Sequence, residues 1–321
     1  MDKHSKRSAS IFRYPVLIAF TLFFAGLFVL DLVTPDRAYS ELENTTLSQR
    51  PSLSSVSADG LNKFFTAYTK YVKDQVAGRD NWVALQSTVE TKVMQKEQSG
   101  GILLGKQHMM FPRTYGLVSS ETRTLPKNTA ALEALCQRYP GKVNVMLVPA
   151  ASAIYPSNVP AGAPLLDEDC YLDSLSKAVQ AAGGRFVDVR QTLTDHKDEY
   201  IYYRTDHHWT TQGAFLGYTA AAKKMGIYPL SEDFYDVEHA SDKFRGTFYS
   251  KVLYNGIKPD TIDIWHLSEN ETQPEVEIYS TFGEEPTIHD GMYFREYLDV
   301  KDKYSTFFGT NQPMITIRTG H

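Results

Sequence analysis

The sequence of 321 residues has little cysteine and no concentration of positive charge. Its two cysteines are Cys136 and Cys170, and no C-x-x-C pair is present, which excludes a disulfide framework and a cysteine-based structural zinc site. A single bridge between them is still permitted in an oxidising compartment. The formal net charge is −5, and there is no long basic run. Because nucleic-acid affinity depends on clustered Lys and Arg, we expect no DNA or RNA partner.

One apolar run, YPVLIAFTLFFAGLFVL, extends from Tyr14 to Leu30. Its roughly 17 residues are at the short end of a membrane span. Four basic residues precede it (Lys3, Lys6, Arg7 and Arg13). No convincing small-x-small cleavage site follows, so an uncleaved signal anchor is favoured over a signal peptide or a buried core helix. We predict a cytoplasmic tail at 1–13, a transmembrane helix at 14–33 and an extracellular C-terminal part.

The remainder of the chain divides into segments with different residue patterns. Residues 34–58 are polar, contain two prolines and lack periodicity, which is typical of a juxtamembrane linker. Residues 59–98 have the apolar spacing of helices, and GGILLGKQHMMF then predicts a short hairpin with a glycine turn. From about residue 128, helix and strand patterns alternate, which predicts βαβ units with a parallel sheet. A strand-rich segment follows from residue 231, and we assign 59–321 to one extracytoplasmic α/β domain.

The segment IYYRTDHHWTTQGAF, residues 201–215, places an acid, two histidines and an indole just before a helix. Thr210 or Thr211 is the expected N-cap, and Gly226 ends the helical pattern. A histidine that acts as a general base needs a carboxylate on its other ring nitrogen, and Asp206 and His208 have a suitable spacing. The residues alone also permit a metal site or a hydrogen-bonded polar loop.

A metal site is disfavoured on two grounds. Asp and His suit zinc or manganese, but an Asp-His-His phosphoesterase needs further aspartates at strand ends, and FVDVR offers only Asp188. Adjacent histidines also tend to point apart, so we do not expect His207 and His208 to share one ion. We predict neither a metal nor a cofactor.

The motif TDHHWT resembles the name-giving motif of the DHHW family, which is similar to the SGNH-hydrolase-like alginate O-acetylation proteins of bacterial envelopes. Further blocks resemble the family in the same order (SELENTTLSQRPSLS, YVKDQVAGRDNWVAL, GGILLGKQHMMF, NVMLVPAASAIYPSNVP and FRGTFYSKV). The resemblance implies a flavodoxin-type α/β three-layer sandwich with Asp206 and His208 as the acid and base of a triad. It places the serine after this pair on an Asp-Ser turn. No such turn follows residue 208, so we expect that the chain is truncated before its nucleophile and inactive in this form.

The resemblance implies a membrane-anchored SGNH-like O-acyltransferase or esterase that acts on a cell-surface polysaccharide, with a membrane-bound O-acyltransferase as acyl donor. Aromatic faces stack on sugars and guanidinium groups hold carboxylates, which suggests a substrate-binding role for the neighbouring side chains. The candidates are His207, Trp209, Arg245 and Tyr249. The alternative function is a non-catalytic polysaccharide-binding or assembly subunit of an O-acetylation system.

Overall fold

A computed structural model describes residues 14–43, 45–52, 60–114, 124–163, 165–254, 256–267, 274–281 and 283–318. The chain divides into two compact units, Met1–Val83 and Ala84–His321. The α-helices of the described residues are α1 Pro15–Val33, α2 Leu61–Gln75, α3 Arg79–Thr88, α4 Leu125–Arg138, α5 Ala151–Ile154, α6 Glu168–Ala181, α7 Arg190–Asp195, α8 Thr211–Met225 and α9 Thr247–Val252. The strands are β1 Tyr39–Ser40, β2 Thr45–Thr46, β3 Gln98–Ser99, β4 Ile102–Leu104, β5 Met110–Pro112, β6 Asn144–Met146, β7 Arg185–Val187, β8 Tyr235–Phe244, β9 Asp260–Leu267, β10 Glu275–Tyr279, β11 Thr287–Asp290 and β12 Met314–Arg318.

The N-terminal helix α1 forms where the long apolar run predicts it. It begins with Pro15 at its first position, where the missing N–H of proline costs no helical hydrogen bond. Its 19 residues extend for about 28 Å, close to the thickness of a bilayer core. No residue of α1 is buried by other parts of the protein. The helix is therefore long and apolar enough to cross a membrane.

The polar segment after α1 is bonded to α2 within the same unit. It contains the short β1–β2 hairpin. The Gln75 amide donates to the carbonyls of Arg37 and Ser48 at 2.9 and 3.0 Å, and the Ser48 amide donates to Asp74 at 2.8 Å. These contacts hold Arg37 and Ser48, which flank the hairpin, against one helix.

The second unit contains the predicted parallel pair of strands between two layers of helices. β6 and β7 run parallel, with Val145 opposite Phe186. Phe186 packs with α4 and α6 on one face, whereas Val187 packs with α7 and α8 on the other. Successive strand residues point to opposite faces, so Phe186 and Val187 belong to two different hydrophobic cores. The arrangement agrees with the predicted α/β layering.

The strand β6 is shorter and more open than its apolar sequence suggests. The stretch KVNVMLVPA is a strand only over Asn144–Met146. Met146 and Leu147 are 37% and 42% exposed. Among the described residues, β6 pairs only with β7, so its other edge has free backbone groups. Parallel sheets are normally covered on both faces, and this edge is therefore able to accept a further strand.

Other predicted elements are also present. The segment predicted as a hairpin, GGILLGKQHMMF, provides the antiparallel pair β4–β5. Before it, β3 pairs with β4 across a turn at Gly100 and Gly101, whose φ angles are +54° and +79°. The C-terminal part is strand-rich: β8 pairs antiparallel with β9, and β10 lies between β11 and β12. Cys136 is buried on α4 and Cys170 is exposed on α6, and both thiols are free. The permitted disulfide does not form.

Candidate active site

The motif residues lie on a tight antiparallel loop that leads into α8. Tyr202 pairs with Trp209, and the Tyr203 amide donates to the His208 carbonyl at 3.2 Å. The Thr210 hydroxyl accepts a hydrogen bond from the Gly213 amide at 3.3 Å and so caps α8, as predicted. The helix ends at Gly226, whose φ is +76°. The loop thus holds the acid and both histidines just before a helix N-terminus.

The carboxylate of Asp206 is buried and accepts four hydrogen bonds. Its side chain is 2% exposed. One oxygen accepts from the backbone amide of His208 at 3.1 Å and from its Nδ1 at 2.6 Å. The other accepts from the backbone amide and hydroxyl of Thr247, at 2.7 and 3.0 Å. Every lone-pair direction of the carboxylate therefore has a donor.

This network holds Asp206 in its ionised form. Burial opposes the charge, but the hydrogen bonds from His208 and Thr247 outweigh it, and the pKa of the Asp206 carboxyl lies well below its usual range. The Nδ1–H of His208 is the donor to this carboxylate. The lone pair of the neutral imidazole is therefore on Nε2, the nitrogen that a general base uses.

His207 lies against His208 and is held by a different partner. Its Nδ1 is 2.9 Å from the hydroxyl of Thr247, whose proton goes to Asp206, so His207 donates to that hydroxyl oxygen. Burial lowers the pKa of His207 despite the nearby Asp206 carboxylate, and the charge on Lys251 lowers it further. His207 is consequently neutral at pH 7.

A second buried carboxylate, Asp260 at the start of β9, shapes the backbone just before Asp206. It is fully buried and accepts from the amides of Arg204 and Thr205, each at 2.8 Å. The hydroxyls of Thr205 and Tyr200 also donate to it. Asp260 therefore fixes the turn that directs Asp206 inward. Sequence reasoning missed it because Asp260 is remote in the chain and lies in no motif.

The loop between β8 and α9 closes on Asp206. A Cβ at Gly246 would lie 2.3 Å from both the Cβ and Oδ2 of Asp206, far inside contact distance. Glycine is therefore needed for the backbone to approach closely enough for Thr247 to bond the carboxylate. The Gly246 amide also donates to the Thr205 hydroxyl at 3.0 Å. The FRGT block contributes a glycine and a threonine to the acid's environment, and neither was a predicted site residue.

A cavity of about 500 Å³ borders His207, His208 and Trp209. Its other walls are mostly apolar and come from the end of β6 and from α4 and α6, including Leu125, Leu147 and Leu172. The exception is Glu168, which accepts from the Ala150 amide at 2.8 Å and whose pKa is raised by burial. The two histidines thus face a largely apolar space that begins just past the end of β6.

The predicted substrate-binding residues have distinct environments. The Trp209 indole packs on Gly217 of α8, where a Cβ would meet the ring at 2.5 Å, and the Cβ of Trp209 lies beside Gly213. Its remaining surface borders the cavity. The Arg245 guanidinium donates to the Tyr249 hydroxyl at 2.8 Å and lies 4.5 Å from the centroid of that ring. Trp209 and Tyr249 are therefore packed in part into the protein, and a role in binding stays a prediction for all four residues.

One premise against a metal site was wrong. The rings of His207 and His208 do not point apart: their centroids are 3.8 Å apart. Ligand atoms of Asp206, His207 and His208 all lie within 4.8 Å of one another. A metal ion on Asp206 would nevertheless displace donors that already occupy the carboxylate. The hydrogen-bonded acid–base pair accounts for the arrangement without an ion.

Comparisons with known proteins identify the type of domain that contains this site. A family model described as "SGNH hydrolase-like domain, acetyltransferase AlgX" matches residues 102–243, which include Asp206 and His208. The structure is similar to a DHHW family protein from Eubacterium siraeum, with 25% identity, 70% of this chain and 73% of that chain covered, and a TM-score of 0.58. It is also similar to PatB1 from Bacillus cereus, solved with a sulfonyl adduct, with 14% identity, 68% and 74% coverage, and a TM-score of 0.50.

No curated protein sequence matches the chain. The similarity to PatB1 shows the fold alone. The resemblance to the DHHW and alginate O-acetylation proteins and the SGNH-hydrolase-like fold are confirmed.

Proposed function

We propose that this protein is a membrane-anchored O-acyltransferase or esterase that modifies a cell-surface polysaccharide outside the cytoplasm. The observation that carries the proposal is the 2.6 Å contact between His208 Nδ1 and the buried, fully bonded carboxylate of Asp206. This is the geometry that a general base and its orienting acid require. The family match supports acetyl transfer as the chemistry.

In the proposed reaction, His208 Nε2 takes the proton of a serine hydroxyl as its oxygen attacks the acyl carbonyl of the donor. Asp206 stays ionised and stabilises the imidazolium that forms. The imidazolium returns the proton to the leaving group, which leaves an acyl-serine. A sugar hydroxyl then attacks with the same proton transfers, while water in its place gives hydrolysis.

The third member of the proposed triad is a serine that the described residues do not place at His208. Within the part of the chain that the structure describes, no serine hydroxyl bonds to His208. We propose that a segment beyond residues 1–321 carries the serine, as the resemblance implies, into the cavity that borders His208. The cavity begins just past the end of β6, which has one unpaired edge among the described residues, and this supports the docking of an additional strand there.

The remaining parts of the proposal concern topology and substrate. The basic residues before α1 favour a cytoplasmic N-terminus and an external catalytic domain. A membrane-bound O-acyltransferase is the proposed acyl donor. Arg245 and Tyr249 are proposed to contact the polysaccharide together with His207 and Trp209. Arg245 brings a cation with a fixed planar geometry that suits carboxylates and other oxyanions.

The test uses the product of the native gene in membranes. Release of acetate from 4-nitrophenyl acetate and transfer to an oligosaccharide are measured for wild type, Asp206→Asn and His208→Ala. The matched control is His239→Ala, because His239 Nδ1 also lies 2.6 Å from a carboxylate, that of Asp263, but on an exposed side chain. We expect both activities to fall by about 10³-fold or more in the site variants and not in the control. A His208→Ala variant that retains activity contradicts the mechanism.

The alternative, a non-catalytic polysaccharide-binding subunit, is favoured by one observation: no described serine is positioned at His208. It predicts glycan binding that persists in Asp206→Ala and His208→Ala variants. It also predicts no labelling of the native protein by a sulfonyl fluoride, whereas the catalytic proposal predicts labelling that depends on His208.

A further inference from the structure

The imidazole of His208 lies between two other rings. On one side is His207, at a centroid distance of 3.8 Å. The other neighbour is Tyr304, whose ring is 4.0 Å away and inclined by only 10°. The Tyr304 ring is stacked on the imidazole, whereas the His207 ring is tilted by 37°. Two rings centred this close to the imidazole cannot share one face without overlapping, so they lie on opposite faces. His208 is therefore sandwiched.

We propose that Tyr304 is a positioning residue for the general base, and that its ring together with His207 clamps the plane of the His208 imidazole. This inference rests on the proposed function of His208. The hydrogen bond to Asp206 fixes the position of Nδ1 but leaves rotation of the ring about that bond. Rings on both faces remove this rotation and thus set the direction in which Nε2 points. Proton transfer depends on such alignment.

The phenol ring also contributes electrostatically. The charge on His208 becomes positive when it takes the serine proton, and the face of an aromatic ring attracts a cation. Burial, with the Asp206 charge, raises the pKa of Tyr304 to about 12, so the ring is the neutral phenol throughout the working range. His207 on the other face is neutral as well and adds no full like charge. Both stacking partners are therefore compatible with an imidazolium.

Tyr304 is held rigidly enough for this role. It lies on a short 3-10 helix, Lys303–Thr306. Its ring is perpendicular to that of Tyr203 and tilted against that of Phe307, at centroid distances of 6.4 and 5.6 Å. The next two residues, Ser305 and Thr306, are buried. The Thr306 carbonyl accepts from the Phe294 amide at 2.8 Å. A segment far from the motif in sequence thus supplies one wall of the site.

The first test does not depend on enzymatic activity. The full chain in detergent micelles, labelled selectively in histidine and tyrosine, is expected to show a nuclear Overhauser effect between the rings of Tyr304 and His208. In Tyr304→Leu the His208 ring resonance loses the upfield ring-current shift, and Tyr304→Phe retains it. The control is Tyr228→Leu, because Tyr228 is 98% exposed. Circular dichroism verifies that each variant is folded.

The second test uses the active native gene product. We expect Tyr304→Leu to lower kcat by about 2- to 30-fold with KM unchanged, and Tyr304→Phe to restore it. The proposal is overturned if the contact is absent from wild type, if a folded Tyr304→Leu keeps the His208 resonance, or if Tyr304→Phe loses as much as Tyr304→Leu. Because the spectroscopic result is independent of turnover, a clamped His208 in an inactive protein would refute the proposed function and not the clamp.

Discussion

The substitution Gly246→Ala tests whether the loop between β8 and α9 must touch Asp206. The backbone at Gly246 has φ −77° and ψ −163°, which alanine adopts without strain. The cost therefore comes from contact: the new methyl would lie 2.3 Å from the Asp206 Cβ and Oδ2. Relief requires the loop or the buried acid to move, and either movement breaks the two hydrogen bonds from Thr247.

Two hydrogen bonds to a buried carboxylate are together worth about 3 to 5 kcal/mol. For a folding unit of this size, that loss lowers the Tm by roughly 10 °C. The assay is thermal unfolding followed by circular dichroism. The control is Gly141→Ala, where the methyl meets nothing within 4 Å and only the φ of +72° is unfavourable, at a cost of about 1 kcal/mol.

A double-mutant cycle makes this test specific. In an Asp206→Gly background the contact partner of the new methyl is absent, so Gly246→Ala should cost little there. Equal costs of Gly246→Ala in the wild-type and Asp206→Gly backgrounds would refute the reasoning, as would a single variant that melts like the Gly141→Ala control.

Three further predictions follow from buried groups and the thiols. The pKa of Asp206 is lower in the folded protein than the unfolded value of about 3.9, so its ionised carboxylate stabilises the fold above that pH and this stability is lost as the pH falls. The stability of Asp206→Asn should therefore change less than that of wild type between about pH 4 and 2, measured by acid unfolding. Burial lowers the pKa of Lys301 to about 8. Wild type should therefore gain stability relative to Lys301→Met as the pH rises from about 8 to about 10.5, measured by urea unfolding. The same change of stability with pH in both proteins would contradict this. Maleimide should label Cys170 in the native protein and Cys136 only after denaturation, counted by mass spectrometry; native labelling of both thiols would be inconsistent with the structure.

Local patterns were sufficient to predict much of the fold. The apolar run predicts α1, the alternation of helix and strand predicts the β6–β7 pair, and the N-cap at Thr210 and the stop at Gly226 define α8. These features depend on neighbours in sequence, such as side-chain periodicity, capping hydroxyls and glycine φ angles. The Asp206–His208 contact is of the same kind, since only one residue separates its partners.

Other features depend on residues that are distant in the chain. Thr247 and Asp260 complete the bonding around the turn, and Tyr304 stacks on His208, although none of them lies in the motif. The orientation of adjacent histidines was predicted wrongly because it depends on Thr247, which draws His207 to the same side as His208. No periodicity or spacing encodes such contacts.

The sequence by itself determined which elements form and that Asp206 and His208 form a hydrogen-bonded pair, because those outcomes follow from interactions within a few positions of each other. Only the tertiary structure decided how that pair is held: a carboxylate becomes buried and ionised when a distant threonine bonds it, and an imidazole acquires a fixed plane when a distant tyrosine covers its face. Both effects require segments about 40 and 100 residues away to fold back onto the loop, and the physical cause is packing, which no local pattern specifies.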